Sequence, residues 1–505
     1  MTPIDFFWRA ARLWPQRCAI DAPTGQVTYA ELARLVRSLA AGLAALDPRP
    51  QSRVAICAKN NSGHIVSLLA VLASGKVWVP LNMRSTRQEI SRIIDITEPS
   101  IVIADEACHA LIDPRGAALL INEGSAGAGR TVAQLIAMHE HGAPPIFEAH
   151  RDDVQAIKFT GGTTGLPKGV MQPYRAWNAN IANQIAHWRF NENDRYVVSA
   201  PISHGTSTYV LPILAQGGCH VIPEQAGMEG TLHAFRERGG TVSFMPPTLV
   251  YMLMGATGAS PSHFPALKRL IYGAAPMPKE KVREVRDFFG AVLGTTYGQT
   301  EAPQIVTVMT PEDFGNEGNW ASVGRQTWFT RVGIMSPDGT LLPTGEIGEV
   351  VVQGDLVMTG YWRNPEKTAE TLQGGWLHTG DRGVFDERGY LFLKDRIKDM
   401  VITGGFNVYP VDVEGTLGRH EAVYECTVFG VPDDKWGETV QAAVQLRPGC
   451  GASEGELIAF VKERLGSVQT PKRIHFYDDL PRSSVGKVLK SDVRRDVLAQ
   501  TETAS

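Results

Sequence analysis

A chain of 505 residues divides into two to four folding units at roughly 100–200 residues each. Its 43% apolar and 20% charged residues belong to a packed globular protein and exclude a disordered one, and a formal net charge of −4 gives no electrostatic footing for nucleic acid. The six cysteines (Cys18, Cys57, Cys108, Cys219, Cys426, Cys450) show neither a C-x-x-C pair nor regular spacing, so they read as reduced thiols, not a disulfide framework or metal site.

The opening MTPIDFFWRAARLWPQR carries Asp5 and several arginines among its apolar residues, which interrupts any signal-peptide core. No run reaches about 18 uninterrupted apolar residues; the best candidate, Ile65 to Leu81, is broken by Ser74, Gly75 and Lys76. A soluble cytoplasmic protein without integral membrane association is expected, with small molecules as partners; a homodimer is compatible with the sequence.

Thr28 and Glu31 form a capping-box pattern ahead of an apolar face at helical spacing, which predicts an early amphipathic helix. Short β-rich runs then alternate with helical ones: RVAICA at 53, a helix around IVSLLAVLA at 65, VWVPL at 77 and SIVIADE at 100. That alternation predicts βαβ units, and hence a large α/β region of mixed and mostly parallel sheets flanked by helices. From about residue 320 to 394 the texture changes to short alternating runs separated by Asp-Gly, Pro and Gly turns, which predicts a small antiparallel β module. The segment YLFLKDRIKDMVITGGFNVYP then places five charges between two apolar strands. A boundary there gives an N-terminal domain over 1–396 and a small, mobile α+β domain over 397–505 that ends in a basic tail.

Residues 159 to 170 read FTGGTTGLPKGV. Gly161, Gly162 and Gly165 permit backbone conformations that let several N–H groups converge on phosphate oxygens. Thr160, Thr163 and Thr164 add hydroxyls, and Lys168 adds charge. The run is not a Walker A loop, since Lys168 follows Pro167 and precedes Gly169. Taken alone it is as compatible with a flexible surface loop as with a phosphate cradle.

Five further segments follow in order: YGAAPMP at 272, YGQTE at 297, HTGDRG at 378, KDRIKDMVITGGFNVYP at 394 and PRSSVGKVLK at 481. With the glycine-rich run they resemble the adenylate-forming (AMP-binding) superfamily of acyl-CoA synthetases, peptide-synthetase adenylation domains and luciferases. The resemblance spans Thr28 to Lys490. It implies ATP, Mg²⁺ and coenzyme A as co-substrates and cofactor, with a small carboxylic acid as the group activated.

Adenylation brings a carboxylate onto the α-phosphorus of ATP, anion against anion, so the site must neutralise charge as pyrophosphate departs. By the resemblance, the 160–168 run holds the β and γ phosphates. Glu301 is a hard oxygen ligand for Mg²⁺, with Thr164 as a second ligand. Thr300 bonds the α-phosphate. Tyr297 offers a face to adenine, next to Gly298 and Gln299, and the backbone of Gly273, Ala274 and Ala275 closes the other side. Asp381 accepts both ribose hydroxyls, and Arg396 adds a ribose or phosphate contact. Lys487 bridges the acyl carboxylate and the α-phosphate. Lys398 is the hinge about which the C-terminal domain rotates for thioester formation. Gly404 and Gly405 line the pantetheine channel or, equally, form a structural turn.

The sequence departs from the family pattern at Gly161, where many members carry serine, and around His204 in PISHGTSTYVLPI, where many are aromatic-rich. His204 either borders the acyl pocket or is a buried histidine with a local hydrogen bond. Two other patterns are set aside. Gly451 to Gly455 fits G-x-S-x-G, but Ser453 with Glu456 reads as a capping box. His139, His141 and His150 lack zinc-site spacing. The expected activity is an ATP-dependent acyl-CoA synthetase acting on a fatty acid. The alternatives are an aryl-acid CoA ligase or a stand-alone adenylation enzyme that loads a carrier protein, with a luciferase-like oxygenase or a silent nucleotide-binding regulator behind them.

Overall fold

The computed structural model describes residues 1–124, 129–160, 168–396, 399–404, 406–433, 436–483 and 488–503. The β-rich runs of the first region become the strands Arg53–Cys57, Val77–Leu81 and Ile101–Ala104, with the first running parallel between the other two. The helices Ser62–Ala73 and Arg87–Thr97 make the crossovers. Every residue of Val77–Leu81 and Ile101–Ala104 is buried, as parallel strands covered on both faces must be.

Among the described residues the strands form four sheets. The eight-stranded sheet extends the three strands above to Ala118–Ile121 and Arg130–Thr131 on one side, and to Val154–Thr160, Lys168–Pro173 and Gly360–Tyr361 on the other. The nine-stranded sheet has a parallel centre of Cys219–Val221, Arg195–Val197, Val242–Met245, Arg269–Tyr272 and Leu293–Tyr297. Its two ends are antiparallel. The predicted β module is the antiparallel sheet of Thr330–Met335, Gly348–Gly354, Trp376–Phe385, Leu372–Gln373 and Leu391–Arg396. The fourth sheet is built from Val401–Thr403, Phe406–Val408, Val423–Asp433, Gly437–Leu446 and Arg473–Tyr477. Its apolar clusters, around Val428, Val440 and Leu457 and around Phe429 and Val493, draw their buried residues from position 401 onward. The mixed α/β class expected from the sequence is the class found.

Local chemistry accounts for many element ends. Thr28 Oγ1 accepts from the Glu31 backbone N–H at 3.2 Å and starts the helix Tyr29–Leu46, a cap worth about 1 kcal/mol. Ser453 and Glu456 form both halves of a capping box before Glu454–Gln469, so the serine of the G-x-S-x-G pattern is a helix cap. The break read at Ser74–Lys76 is a tight turn between the helix Ser62–Ala73 and the strand Val77–Leu81, with Gly75 at φ +69°.

Two long-range features escaped the sequence. Cys18 and Cys219, on neighbouring parallel strands, place their sulfurs 3.4 Å apart as free thiols. Lys76 is buried in the core. Among the described residues, no helix is long and apolar enough to cross a membrane.

Candidate active site

The glycine-rich run lies between two paired strands. Val154–Thr160 and Lys168–Pro173 are antiparallel, with Thr160 opposite Lys168. Gly161, Gly162, Thr163, Thr164 and Gly165 lie outside the described residues. Lys168 Nζ sits 5.7 Å from the centre of the Tyr361 ring. The Tyr361 hydroxyl in turn donates to Glu301 Oε1 at 2.8 Å. Burial and then the Glu301 charge push the Tyr361 phenol above its ordinary range, so it stays protonated and keeps donating. The backbone around Glu301 is pinned from two sides. Gln172 Nε2 donates to the Thr300 carbonyl at 2.8 Å, and the Met358 N–H donates to the Glu301 carbonyl at 2.8 Å.

Tyr297 ends the central strand Leu293–Tyr297, and its hydroxyl donates to Asp381 Oδ2 at 2.7 Å. Gln299 Nε2 donates to the same oxygen at 2.7 Å and to the Thr379 carbonyl at 2.9 Å. Two donors on one carboxylate oxygen make charge-assisted bonds that fix the carboxylate orientation. Asp381, on the strand Trp376–Phe385, is 7% exposed and stands opposite Arg396 in the register of the next strand. The sequence placed Tyr297 as a face for adenine and Asp381 as a ribose acceptor, and the fold joins these two directly.

Gly273, Ala274 and Ala275 follow the strand Arg269–Tyr272, next in the sheet to the strand of Tyr297. Ala274 has φ +67°. A Cβ on Gly273 would lie 3.0 Å from the Thr296 carbonyl oxygen and 3.1 Å from the Phe244 ring, which explains a glycine there. Gly298 is confined by the Gln304 backbone, 2.6 Å from where its Cβ would stand.

His204 lies in the turn Ile202–Thr206 that leads into the helix Ser207–Ala215. Its Nδ1 is 3.0 Å from Ser203 Oγ. Burial, and next the neighbouring Lys158 charge, lower its pKa to about 4, so the imidazole is neutral at pH 7. The structure thus gives His204 as a buried, locally bonded histidine next to Lys158.

Lys158 was missed in the sequence. It lies two residues before Thr160 on the same strand, and its Nζ donates to Ser207 Oγ at 2.8 Å. It also sits 5.1 Å and 5.5 Å from the ring centres of Trp78 and Trp177. Burial lowers its pKa to about 7. The one available signal was a lysine inside the otherwise apolar approach QAIKF to the glycine-rich run.

Lys398, Gly405 and Lys487 lie outside the described residues. Gly404 has φ +56°, and a Cβ there would meet the Trp436 ring at 2.8 Å, so local packing alone requires glycine at this position. Among the described residues no three His, Cys, Asp or Glu side chains gather as a metal cage. Magnesium held mainly by phosphate oxygens and water needs only one or two protein carboxylates, and Glu301, with one oxygen held by Tyr361, fits that demand.

The AMP-binding enzyme family model matches residues 7–362, and that of the AMP-binding enzyme C-terminal domain matches residues 412–487. The chain belongs to the AMP-binding enzyme family. Among relatives of this AMP-binding enzyme, a feruloyl-CoA synthase from Amycolatopsis sp is 34% identical over 96% of this chain and 97% of its own length. The medium/long-chain-fatty-acid–CoA ligase FadD8 of Mycobacterium tuberculosis is 36% identical over 68% of this chain and 61% of its own. The structure of ATP-bound MatB from Rhodopseudomonas palustris superposes with a TM-score of 0.87 at 30% identity, covering 98% of this chain and 99% of that one. The acyl-CoA synthetase resemblance read from the motifs is therefore sound at the level of the family and of ligase activity.

Proposed function

We propose that this ligase activates a carboxylic acid in two steps. The carboxylate oxygen attacks the α-phosphorus of ATP, the α–β phosphoanhydride breaks, and acyl-AMP and pyrophosphate form. The thiol sulfur of coenzyme A then attacks the acyl carbon, loses its proton and expels AMP, leaving the thioester. The observation that carries the reading is the convergence of separate motifs. Tyr297 and Gln299 of YGQTE bond Asp381 of HTGD, while Glu301 of the same motif is tied through Tyr361 to Lys168 at the end of the glycine-rich run.

In this reading the fixed Asp381 carboxylate receives the ribose, with Arg396 beside it. Gly273 to Ala275 and Tyr297 to Gln299 border the base. Thr300 and the 160–168 run bind the phosphates. Glu301 and Thr164 would hold magnesium, which would supply charge neutralisation on the leaving pyrophosphate. The neutral His204 borders the acyl group. Lys487 aligns carboxylate and α-phosphate, and Lys398 serves as the pivot of a C-terminal domain over 397–505. The separate apolar clusters after residue 401 support that division. A fatty acid is the first substrate to try. The names of the relatives, one for an aryl acid and one for fatty acids, keep the aryl-acid ligase beside it.

The test is pyrophosphate release from ATP and Mg²⁺ across fatty, aryl and amino acids, with and without coenzyme A. Release with one acid class, joined by AMP and thioester when coenzyme A is added, is expected. Release without thioester would move the assignment to a carrier-loading enzyme. Lys487→Ala should abolish acyl-AMP formation and largely spare thioester formation from preformed acyl-AMP; equal loss of both steps would remove the role given to Lys487.

A further inference from the structure

Among the described residues, the buried Lys158 ammonium has no anionic partner. The residue is 8% exposed, and among the described residues its ammonium has one oxygen partner, the neutral Ser207 hydroxyl. That hydroxyl spends its own proton on the His204 carbonyl at 2.6 Å. The indoles of Trp78 and Trp177, which meet edge to face at 6.2 Å between ring centres, also line it, and the neutral His204 is close enough to feel its charge. Ring faces attract a cation, yet they do not replace a carboxylate. A second buried donor in the same cluster is also unmet, since Trp78 Nε1 has no hydrogen-bond acceptor among the described residues.

The place of this cluster gives it a role. Alternate residues of an extended strand share a face, so Lys158 points to the same side as Thr160, where the glycine-rich run begins. Its Ser207 partner stands three residues beyond His204, at the start of the helix Ser207–Ala215. Lys158 is therefore tied along its strand to Thr160 and, through Ser207, to the turn that carries His204, the residue placed above beside the acyl group. An anionic oxygen arriving there would meet a cation in a low-dielectric, indole-walled setting, where pairing is strong because little water competes. An apolar acid tail of the same size would leave the cation as it is.

We propose that the acid-binding side of the site recognises a second anionic oxygen on its substrate, a distal carboxylate or phenolate, with the Lys158 ammonium as the receiving group. This rests on the adenylation reading above and names the class of acid within it. Lys158 is thereby a specificity-determining residue for an acid that carries charge at both ends.

The test uses the whole 505-residue chain with ATP and Mg²⁺, reading pyrophosphate release on matched pairs of acids. One pair is a monocarboxylic acid and its ω-carboxylated counterpart; the other is an aryl acid with and without a ring hydroxyl. The wild type should favour the member with the distal oxygen, and which pair responds tells carboxylate from phenol. In Lys158→Met, kcat/KM for that member should fall on the order of 100-fold, as expected when one partner of a buried charge pair is lost. The matched apolar acid should be unchanged or improved. Equal loss on both members would overturn the proposal, because Lys158 would then serve the reacting carboxylate or the fold. If Lys158→Met does not fold, the wild-type preference decides, and preference for the apolar member of both pairs overturns the proposal. Absence of pyrophosphate release with every acid from folded protein would instead overturn the adenylation reading, and this inference with it.

Discussion

Two lysines are buried in the same eight-stranded sheet region, and they are treated in opposite ways. Lys76, at the entry to the strand Val77–Leu81, is 1% exposed and donates to the Asp47 carbonyl at 2.5 Å, the Arg49 carbonyl at 3.2 Å and Ser52 Oγ at 2.8 Å. All three ammonium protons have oxygens, and the side chain clamps the 47–52 turn to the sheet. Lys158, a few strand positions away across the Trp78–Ala156 pairing, has among the described residues one oxygen and two indole faces. A buried charge is tolerated when its donors are all engaged. Where they are not, the group carries unspent interaction, and perturbed ionisable groups of that kind concentrate at functional sites.

The largest effect should come from breaking the satisfied lysine. Lys76→Met leaves two backbone carbonyls and a serine hydroxyl without their donor in the interior, and should cost about 3–5 kcal/mol of unfolding free energy. Denaturant unfolding at neutral pH measures it. A loss under about 1 kcal/mol would mean that the clamp is ornamental and that the contrast between the two lysines does not hold.

Lys158→Met should have the opposite sign. The ammonium titrates near 7 in the folded chain against 10.5 for the ordinary side chain. Between those values the unfolded chain binds more protons, so wild-type stability rises with pH through that window, and below pH 7 the penalty of the buried charge is present in full. The variant should thus exceed the wild type by about 2–3 kcal/mol at pH 6.5, with the gap closing toward pH 10. His204, depressed to about 4, changes stability only between about 4 and 6.5, so a scan upward from pH 6.5 leaves it out. A gap that does not vary with pH would show that Lys158 is not a strained cation.

The contrast also marks what the sequence could tell. The Thr28 and Ser453 caps, the parallel strands at 53, 77 and 101, and the antiparallel module were legible because each depends on residues a few positions apart. The candidate site was legible as separate motifs. The direct bond between Tyr297 and Asp381, 84 residues apart, was not. Lys76 read only as a charge interrupting an apolar run, and Lys158 was missed. Whether a lysine meets three oxygens or two indoles is decided by segments distant in the chain, such as Trp78 and Trp177 around Lys158, and local spacing carries no record of that.

The smallest effect isolates the one oxygen that Lys158 meets among the described residues. Ser207 Oγ accepts from Lys158 Nζ and donates to the His204 carbonyl, so Ser207→Ala removes the last oxygen partner of the cation and a donor from the turn that carries His204. The expected cost is about 1–2 kcal/mol at pH 6.5, smaller at pH 9, where the amine is neutral and needs its partner less. Repeating the substitution in the Lys158→Met background separates the two bonds. If the hydroxyl mainly serves the cation, Ser207→Ala should cost at least about 0.5 kcal/mol less in that background, which is the coupling expected of directly bonded side chains. Strict additivity would assign the hydroxyl to the His204 turn alone, leaving Lys158 held by the indoles and its charge still less compensated than the hydrogen bond suggests.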